Sequence, residues 1–477
     1  MMTSSEISKL LNQIEVNYEV EKLNYNGFDL WPSIKILLLK QNITTSNVKQ
    51  APSKENKKRY LLKLLLKISS TLKLWMLKFK GADIYFVNFE QHLVKSDGGV
   101  LNKFYAQLKI DLNAPYQDFY YFHDSAKLNL NIASNGIKIP ASRSSRQRPA
   151  IENDAQLFDF SLYLEKNYPY LTDAKTALFD GLSSHLHIVF EAYEIWKCIF
   201  EKNKPKVIFT VSYYTPQNLG LIWAAKLADI PVFEIQHGNQ INYPPYSFEK
   251  IPVSSYNSLP SHFLAWDNSS YKHLNGWTDQ SDKINAIHFG NPWSAYLSDM
   301  KNTIFQNSRD LFEKSIELSK PIILYTMVPE LEIVPQKIAH IIKETQHDYQ
   351  WLARMHPRQG ISMEEVISTL KEKGITEVNV DLATNLPLPI LLQYADLHIT
   401  SWSSTVLEAS AFCVKSLLFH EEGKTRYNHL DNVIYPDEIF FFNTNNFREF
   451  TDELNTAEKK IVDHTTLNTT IIELLLR

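Results

Sequence analysis

The chain has 477 residues, about three times the usual size of one domain, so two separate hydrophobic cores are expected. Its 49 basic and 53 acidic residues leave a net charge of −4, which provides no overall basic surface for a nucleic-acid partner. Two cysteines exclude a disulfide framework, and their separation fits neither a zinc site nor a redox pair. A reducing cytoplasm is therefore the expected location.

Hydropathy and glycine content exclude further classes. Charged residues interrupt the N-terminal segment where a secretory signal would be apolar, and no window reaches the roughly 18 to 20 apolar residues of a spanning helix. Only 13 of 477 residues are glycine, and neither G-x-G-x-x-G nor the P-loop pattern occurs. These absences weigh against kinases, ATPases and dehydrogenases.

The N-terminal region is helical and locally basic. Residues 1–50 predict two helices joined by a turn, and residues 54–80 predict an amphipathic helix with nine basic residues and one acidic residue, a local charge of +8. Such a helix can lie on an anionic bilayer, with about 1 kcal/mol from each basic residue. It can equally present a solvated face in front of the first strand. The pattern leaves both alternatives open.

Strands and helices then alternate through the rest of the chain. The first half predicts strands at 82–89, 118–122, 206–211 and 232–236, helices at 178–202 and 216–228, and an exposed loop at 140–149. The second half predicts strands at 284–289, 321–327, 350–355, 378–381, 396–401 and 415–419, with helices at 302–318, 335–345, 363–373, 387–394 and 403–412. A strand, a helix and a strand within about 30 residues form a βαβ unit, which implies a parallel sheet.

We therefore predict an α/β fold with two facing Rossmann-like domains and a helical N-terminal extension. The expected divisions are an extension at 1–80, a first domain at 81–275, a second domain at 276–445, and helices at 446–477 that pack back over the first domain. Two doubly wound domains would place a cleft where the carboxyl ends of both sets of strands converge, which is the default ligand site.

One candidate motif follows the strand at 232–236. His237 is held at the end of this strand, and Gly238 allows a ligand to approach the backbone closely. Imidazole accepts a proton near neutral pH, so His237 is a candidate general base. Gln236, Gly238, Asn239 and Asn291 are candidate substrate contacts. The alternative is a turn histidine that bonds to nearby backbone.

A second motif, Arg354-Met355-His356-Pro357-Arg358, ends the strand at 350–355. Arg354 and Arg358 flank His356 ahead of a helix, which makes an electropositive site suited to phosphate. Pro357 forces the chain out of the strand and fixes how His356 is presented. Surface arginines with a capping histidine are the alternative interpretation.

A third motif follows the strand at 396–401. The hydroxyls of Ser403, Ser404 and Thr405 and the free N–H groups of a helix start can hold an anion without glycine. Glu408, on the same helix, is a candidate for binding ribose hydroxyls. An ordinary helix N-cap would give the same serines. Aromatic residues that could stack on a sugar or a base, or simply belong to the core, are Tyr243, Tyr246, Trp266 and Trp293.

The order Gln-His-Gly, His-Pro and Ser-Ser-x-x-x-Glu resembles bacterial glycosyltransferases of the GT-B fold that build capsules and lipopolysaccharide. It is similar to the capsule-synthesis, CDP-glycerol polymerase and polysialyltransferase-like families over residues 180–425. The resemblance implies that His356, Ser403 and Ser404 hold the donor's phosphate and nucleotide, and that His237 activates the acceptor. Sialyl-type relatives place an acidic residue before the glycine, whereas this chain has His237. Teichoic-acid-like relatives carry His-Gly but transfer glycerol phosphate.

The resulting expectation is a cytoplasmic glycosyltransferase that uses neither metal nor cofactor, because no D-x-D run stands in the motifs. Its expected partners are a nucleotide-sugar donor, with a CMP-linked acid sugar slightly favoured over a UDP or GDP sugar, and a glycan or glycolipid acceptor of a capsule or lipopolysaccharide. Residues 54–80 are a candidate contact with the inner membrane surface, and no nucleic acid is expected. A nucleotide-sugar epimerase and a non-catalytic assembly component are the alternatives.

Overall fold

A computed structural model describes the greater part of the chain. The described residues are 4–43, 81–89, 92–97, 99–122, 136–140, 149–151, 153–169, 171, 177–298, 305–329, 332–356, 360–435, 444–456 and 467–476. The predicted basic helix at 54–80 and nearly all of the predicted loop at 140–149 lie outside them. Two compact units are present: the first takes the described residues of Met1–Leu93, Asn102–Gly290 and Leu467–Arg477, and the second those of Val94–Leu101 and Asn291–Thr466.

A seven-stranded parallel sheet forms the centre of the first unit. Its strands are β1 (Ile84–Phe89), β2 (Tyr116–Phe122), β3 (Ile137–Pro140), β4 (Val207–Thr210), β5 (Val232–Ile235), β6 (His262–Ala265) and β7 (Asn285–His288). Their spatial order is β7-β6-β5-β4-β1-β2-β3, and all neighbours are parallel. Every residue of β1, β4, β5 and β6 is buried, as in parallel sheets covered by helices on both faces. The strand order reverses between β1 and β4.

A six-stranded parallel sheet forms the centre of the second unit. Its strands are β8 (Ile322–Thr326), β9 (Gln350–Arg354), β10 (Val378–Asn379), β11 (Leu397–Thr400), β12 (Lys415–Leu418) and β13 (Val433–Ile434). The spatial order is β10-β9-β8-β11-β12-β13, with parallel neighbours throughout. This is the Rossmann order, and it reverses between β8 and β11.

Helices connect these strands. Those of the first unit are Ser4–Asn17, Trp31–Ile43, Ala106–Asp111, Ala155–Asn167, Leu182–Lys202, Pro216–Leu227, Asn268–Thr278 and Thr470–Leu476. Those of the second are Pro292–Ser298, Gln306–Ser315, Gln336–Thr345, Met363–Glu372, Val380–Asn385, Leu388–Tyr394, Thr405–Ala411, Glu421–Tyr427 and Thr444–Thr456. Within the described ranges, no helix combines the length and the apolar character needed to cross a bilayer.

The α/β fold class is confirmed, but the structure assigns some elements differently from the sequence-based prediction. The strand predicted to open the second domain is β7, which pairs with β6 in the first sheet. Strand β6 itself was not predicted, and the expected boundary after residue 275 falls inside the helix Asn268–Thr278. The reason is that sheet membership depends on pairing with a distant neighbour, which a short apolar run does not reveal.

The two terminal regions also differ from the prediction. Ile7, Leu10, Leu11 and Ile14 are buried in the same core as the first sheet, so residues 4–43 belong to the first unit and are not a separate extension. At the other end, Thr444–Thr456 belongs to the second unit, whereas the helix Thr470–Leu476 belongs to the first.

A fully buried ion pair fixes the N-terminal helices to the first unit. The Lys35 Nζ lies 2.6 Å from the Glu15 Oε1, and both side chains are wholly inaccessible. Lys35 also donates to the Ser247 carbonyl, while the Glu249 N–H donates to the other Glu15 oxygen at 2.6 Å. The pair therefore holds the segment around Ser247, which carries residues of the site described next.

Candidate functional site

The carboxyl edge of the first sheet collects polar side chains beside the point where the strand order reverses. Ser212 and Tyr214 follow β4, His237 follows β5, and Trp266 follows β6. In doubly wound sheets, ligands bind in the crevice at this edge and at this reversal. The first unit therefore has a candidate site that is built mainly by the loops after β4 and β5.

His237 is the centre of this group. Its Nε2 lies 3.1 Å from the Ser212 hydroxyl and 3.3 Å from the Tyr214 hydroxyl, whereas its buried Nδ1 has no hydrogen-bond partner among the described residues. Burial, with a smaller contribution from the positive charge of Lys103, lowers the pKa of His237 to about 4. The imidazole is consequently uncharged at neutral pH, with Nε2 near two hydroxyls and Nδ1 without a partner among the described residues.

Glu234, a residue of β5, holds the loop that contains Ser212 by hydrogen bonding to its backbone. Its Oε1 accepts hydrogen bonds from the backbone N–H of Tyr213 at 3.1 Å and from the Tyr246 hydroxyl. Burial raises the pKa of Glu234 to about 8, although these donors oppose the rise. Ser212 has a left-handed φ of 58°, a costly conformation for serine that the surrounding contacts maintain.

Sequence reasoning did not identify Glu234, Ser212 or Tyr214. Glu234 sits in the run Val-Phe-Glu-Ile, where a single acidic residue in a buried strand was the one available signal. The left-handed backbone of Ser212 has no sequence signature, because glycine or asparagine would be expected there. Their association depends on the pairing of β4 with β5.

Three residues predicted as substrate contacts make internal bonds in the structure. The buried Gln236 side chain donates to the Gly238 carbonyl at 2.9 Å and to the Ser270 hydroxyl, and it accepts from the backbone N–H of Trp266 at 2.6 Å. Asn239 bonds to the backbone of Ile241. Asn291 accepts from the N–H groups at the start of the helix Pro292–Ser298. The polar atoms of Gln236 and Asn291 therefore organise the neighbouring backbone, and contact of these residues with a substrate stays a prediction.

In the second unit, the serine motif follows β11 at the reversal of the strand order. The Ser403 hydroxyl lies 2.8 Å from the Thr405 hydroxyl and 3.3 Å from the Thr405 N–H, while the Ser404 side chain makes no capping bond. A Cβ added to Gly423 would lie 2.1 Å from the Ser401 carbonyl oxygen, so the close approach of these two segments requires glycine at position 423. The helix expected to begin at 403 begins at Thr405, with Glu408 in its first turn.

The arginine motif follows β9, on the other side of β8 from the serine motif. Arg354 donates to the carbonyls of Ala383 at 2.5 Å and Leu386 at 2.7 Å, at the end of the helix Val380–Asn385. Burial lowers the pKa of Arg354, and the charge of Glu408 opposes that shift. Both of these bonds come from one guanidinium nitrogen of Arg354, Nη1, and its predicted contact with phosphate stays a prediction. His356 is half-buried after the strand, and Pro357 and Arg358 lie outside the described residues.

The structure thus brings His237 together with Ser212, Tyr214 and Glu234 in the first unit. In the second unit, the arginine and serine motifs flank the same strand. The proposal that His237 and the second-unit motifs serve one cleft stays a prediction. Across the described residues, no three metal-binding side chains are grouped so that they could hold an ion.

The fold belongs to the α/β class of GT-B type, with two parallel sheets of Rossmann-like order. No protein-family model matches the sequence, and no curated protein sequence matches it either. Similar solved structures include the UDP-GlcNAc 2-epimerase of Methanocaldococcus jannaschii, with a TM-score of 0.52 and 13% identity over 82% of this chain and 99% of that one. The UDP-GlcNAc 2-epimerase of Neisseria meningitidis, bound to UDP-GlcNAc, has a TM-score of 0.52 and 13% identity, and the match covers 83% of this chain and 100% of that one. The wall teichoic acid polymerase TagF has a TM-score of 0.43 and 13% identity, and the match covers 88% of this chain and 98% of that one. At these identities the likeness concerns the fold alone.

Proposed function

We propose that this protein is an enzyme that acts on a nucleotide-activated sugar and transfers the sugar to a hydroxyl of a glycan acceptor. The observation that carries the proposal is His237, an uncharged imidazole at the carboxyl edge of the first sheet whose Nδ1 lacks a partner in the described structure. A general base needs such an atom within reach of the proton that it removes.

In this mechanism His237 receives the proton of the attacking hydroxyl. The proposed tautomer carries its proton on Nε2, which lies 3.1 Å from the Ser212 hydroxyl, and leaves Nδ1 as the acceptor. The acceptor oxygen forms a bond to the anomeric carbon while the bond from that carbon to the nucleotide phosphate breaks. Negative charge brought by a bound donor would raise the pKa of His237 and strengthen it as a base.

The second unit supplies the proposed nucleotide site. His356, Ser403, Ser404 and Thr405 are proposed to bind the phosphate of the leaving nucleotide, with Glu408 on the ribose hydroxyls. The Rossmann order of the second sheet supports this assignment, because the serine motif follows β11 at the reversal of strand order. Pro357 and Arg358 are proposed to belong to the same set of phosphate-binding residues. Donor class, capsule or lipopolysaccharide acceptor, and contact of residues 54–80 with a membrane remain parts of the proposal.

The second candidate is a nucleotide-sugar epimerase. The two structures above with a TM-score of 0.52 are both UDP-GlcNAc 2-epimerases, and the similarity spans nearly their whole length. This candidate uses the same nucleotide site but converts the nucleotide sugar without any acceptor.

Nucleotide binding is the first test. CMP, CDP, UDP and GDP are added separately in a thermal-shift screen, and a nucleotide at 100 times its Kd should stabilise the protein by about 2.7 kcal/mol. His356→Ala should abolish the shift and keep the unliganded melting temperature. No shift with any of the four nucleotides contradicts both enzyme proposals and favours the non-catalytic alternative.

Turnover then separates the two reactions. Nucleotide release that requires a glycan acceptor supports transfer, and conversion of the nucleotide sugar alone supports epimerisation. His237→Asn should lower transfer by about 100- to 10,000-fold, because proton removal is lost while the polar shape is kept. The exposed His288 of β7 gives the matched control, and His288→Asn should leave turnover unchanged. Normal turnover by His237→Asn would remove His237 from the mechanism.

A further inference from the structure

Buried polar atoms without a hydrogen-bond partner in the described part of the chain also occur at Gln240, in the loop that begins with His237, and at Trp266, directly after β6. They are the indole Nε1 of Trp266, whose side chain is only 9% exposed, and the Oε1 of Gln240, which is 1% exposed. Buried polar atoms are nearly always hydrogen-bonded in native proteins, to protein, water or a bound molecule. These two atoms therefore leave one donor and one acceptor unsatisfied in the loops after β5 and β6.

The bonds of Gln236 place Trp266 and the His237 loop next to each other. The Gln236 side-chain amide accepts from the backbone N–H of Trp266 at 2.6 Å and donates to the Gly238 carbonyl at 2.9 Å. Strands β5 and β6, which lead into these two loops, are direct neighbours in the sheet. The Trp266 ring is also fixed, because it stacks on Phe104 with ring centroids 6.2 Å apart. The Trp266 indole is thus held in a fixed position beside the loop that carries His237.

The chemistry of the unpartnered atoms limits the ligand class. Trp266 offers an N–H donor, Gln240 an amide acceptor and His237 a ring nitrogen, and none of these three groups is charged at neutral pH. An ionised phosphate oxygen only accepts hydrogen bonds and so cannot bond to the Gln240 acceptor, whereas a sugar hydroxyl both donates and accepts. We propose that Trp266 and Gln240 bind hydroxyls of a pyranose ring beside His237, as the acceptor-sugar subsite of the first unit. This inference rests on the function proposed above for His237.

The test measures equilibrium sugar binding by the full chain. Methyl glycosides of glucose, galactose, mannose and N-acetylglucosamine are screened by saturation-transfer NMR without nucleotide. For the glycoside that binds, Trp266→Phe should raise Kd about 3- to 10-fold, because one hydrogen bond is lost and the ring on Phe104 is kept. Trp223→Phe is the matched control, since Trp223 is 8% exposed and packs on Phe28 and Tyr193 of the same unit. Its Kd should equal that of the wild type.

A second variant keeps the test decisive if Trp266→Phe does not fold. Gln240→Met removes the acceptor at similar volume and should weaken the same glycoside by a similar factor. Absence of binding by all four glycosides, displacement of the bound glycoside by inorganic phosphate, or unchanged Kd in a folded variant would each overturn the subsite. His237→Asn should still bind the glycoside while losing transfer, so failure of the transfer proposal is distinguishable from failure of the subsite.

Discussion

At the scale of single residues, the first unit is organised by ionisable groups that burial keeps neutral. Glu234 and His237 lie on the same strand and the loop after it, and burial moves their pKa values in opposite directions, to about 8 and about 4. Both groups are uncharged at pH 7 as a result. Such a site can contain a base in its deprotonated form without placing a carboxylate charge beside it.

Glu234→Gln tests this charge state through stability. The folded protein keeps a proton on Glu234 between pH 4.5 and about 8, where the unfolded chain has lost it, so the wild type loses stability as pH rises through this range. The amide mimics the protonated acid, and the variant should be more stable than the wild type by a few kcal/mol at about pH 8. The gain should vanish near pH 4.5.

Urea unfolding at both pH values measures this effect. Glu194→Gln serves as the control, because Glu194 is an exposed carboxyl of the helix Leu182–Lys202, and its difference from wild type should be independent of pH. If wild type and Glu234→Gln showed parallel pH dependences, Glu234 would be ionised in the folded protein.

At the scale of elements, the N-terminal helices contribute to the site without reaching it. Lys35 donates to the Ser247 carbonyl, and Glu15 accepts from the Glu249 N–H. Tyr246, the residue before Ser247, donates from its hydroxyl to Glu234. The indole of Trp31 also donates to Glu15 at 2.7 Å, and the ammonium of Lys35 lies 4.0 Å from the centre of the Phe248 ring. A helical hairpin at the start of the chain is thus connected to the support of His237 by hydrogen bonds.

Lys35→Met should destabilise the first unit by about 3 to 5 kcal/mol, because it leaves the Glu15 carboxylate buried and unpaired. The double variant Glu15→Gln with Lys35→Met should recover most of this loss, since the amide still accepts from Trp31 without a charge. Urea unfolding gives both values. The exposed pair of Lys22 with Glu19 is the control, and Lys22→Met should cost less than about 1 kcal/mol. A double variant as unstable as Lys35→Met would argue against the ion pair as the cause.

At the scale of the whole molecule, buried neutral histidines make the protein sensitive to acid. Burial lowers the pKa of each member of this group, to about 3 for His185 and His398 and about 4 for His237 and His262. At these histidines the unfolded chain binds protons below about pH 6.5 that the folded chain excludes, so their contribution to stability is complete above that pH and is lost as pH decreases towards 4.

The first unit should lose more stability in acid than the second, because three of these histidines belong to it and only His398 belongs to the second. Hydrogen exchange at about pH 7 and about pH 5, corrected for intrinsic exchange rates, measures the opening free energy of each unit. The expected result is a larger decrease for β4, β5 and β6 than for β8 and β11. An equal decrease in both units would contradict this distribution.

Local patterns were sufficient for much of the fold and for one part of the site. The apolar runs of β1, β4 and β5 and the helix Pro216–Leu227 predicted a parallel sheet, because buried parallel strands read as continuous apolar stretches. His237 was predicted from its position directly after such a strand. Each of these inferences needs only residues that are neighbours in the sequence.

Only the tertiary structure decided what depends on distant residues. It placed β7 at the edge of the first sheet, gave Arg354 the carbonyls of Ala383 and Leu386, and set Glu234 beneath the strained Ser212. The physical reason is that pairing, burial and hydrogen-bond partners are set by groups far apart in the chain. The sequence by itself determined the alternation of strands and helices and the residue at the end of each strand. The contacts that make those residues structural or chemically available arise only when the sheets form.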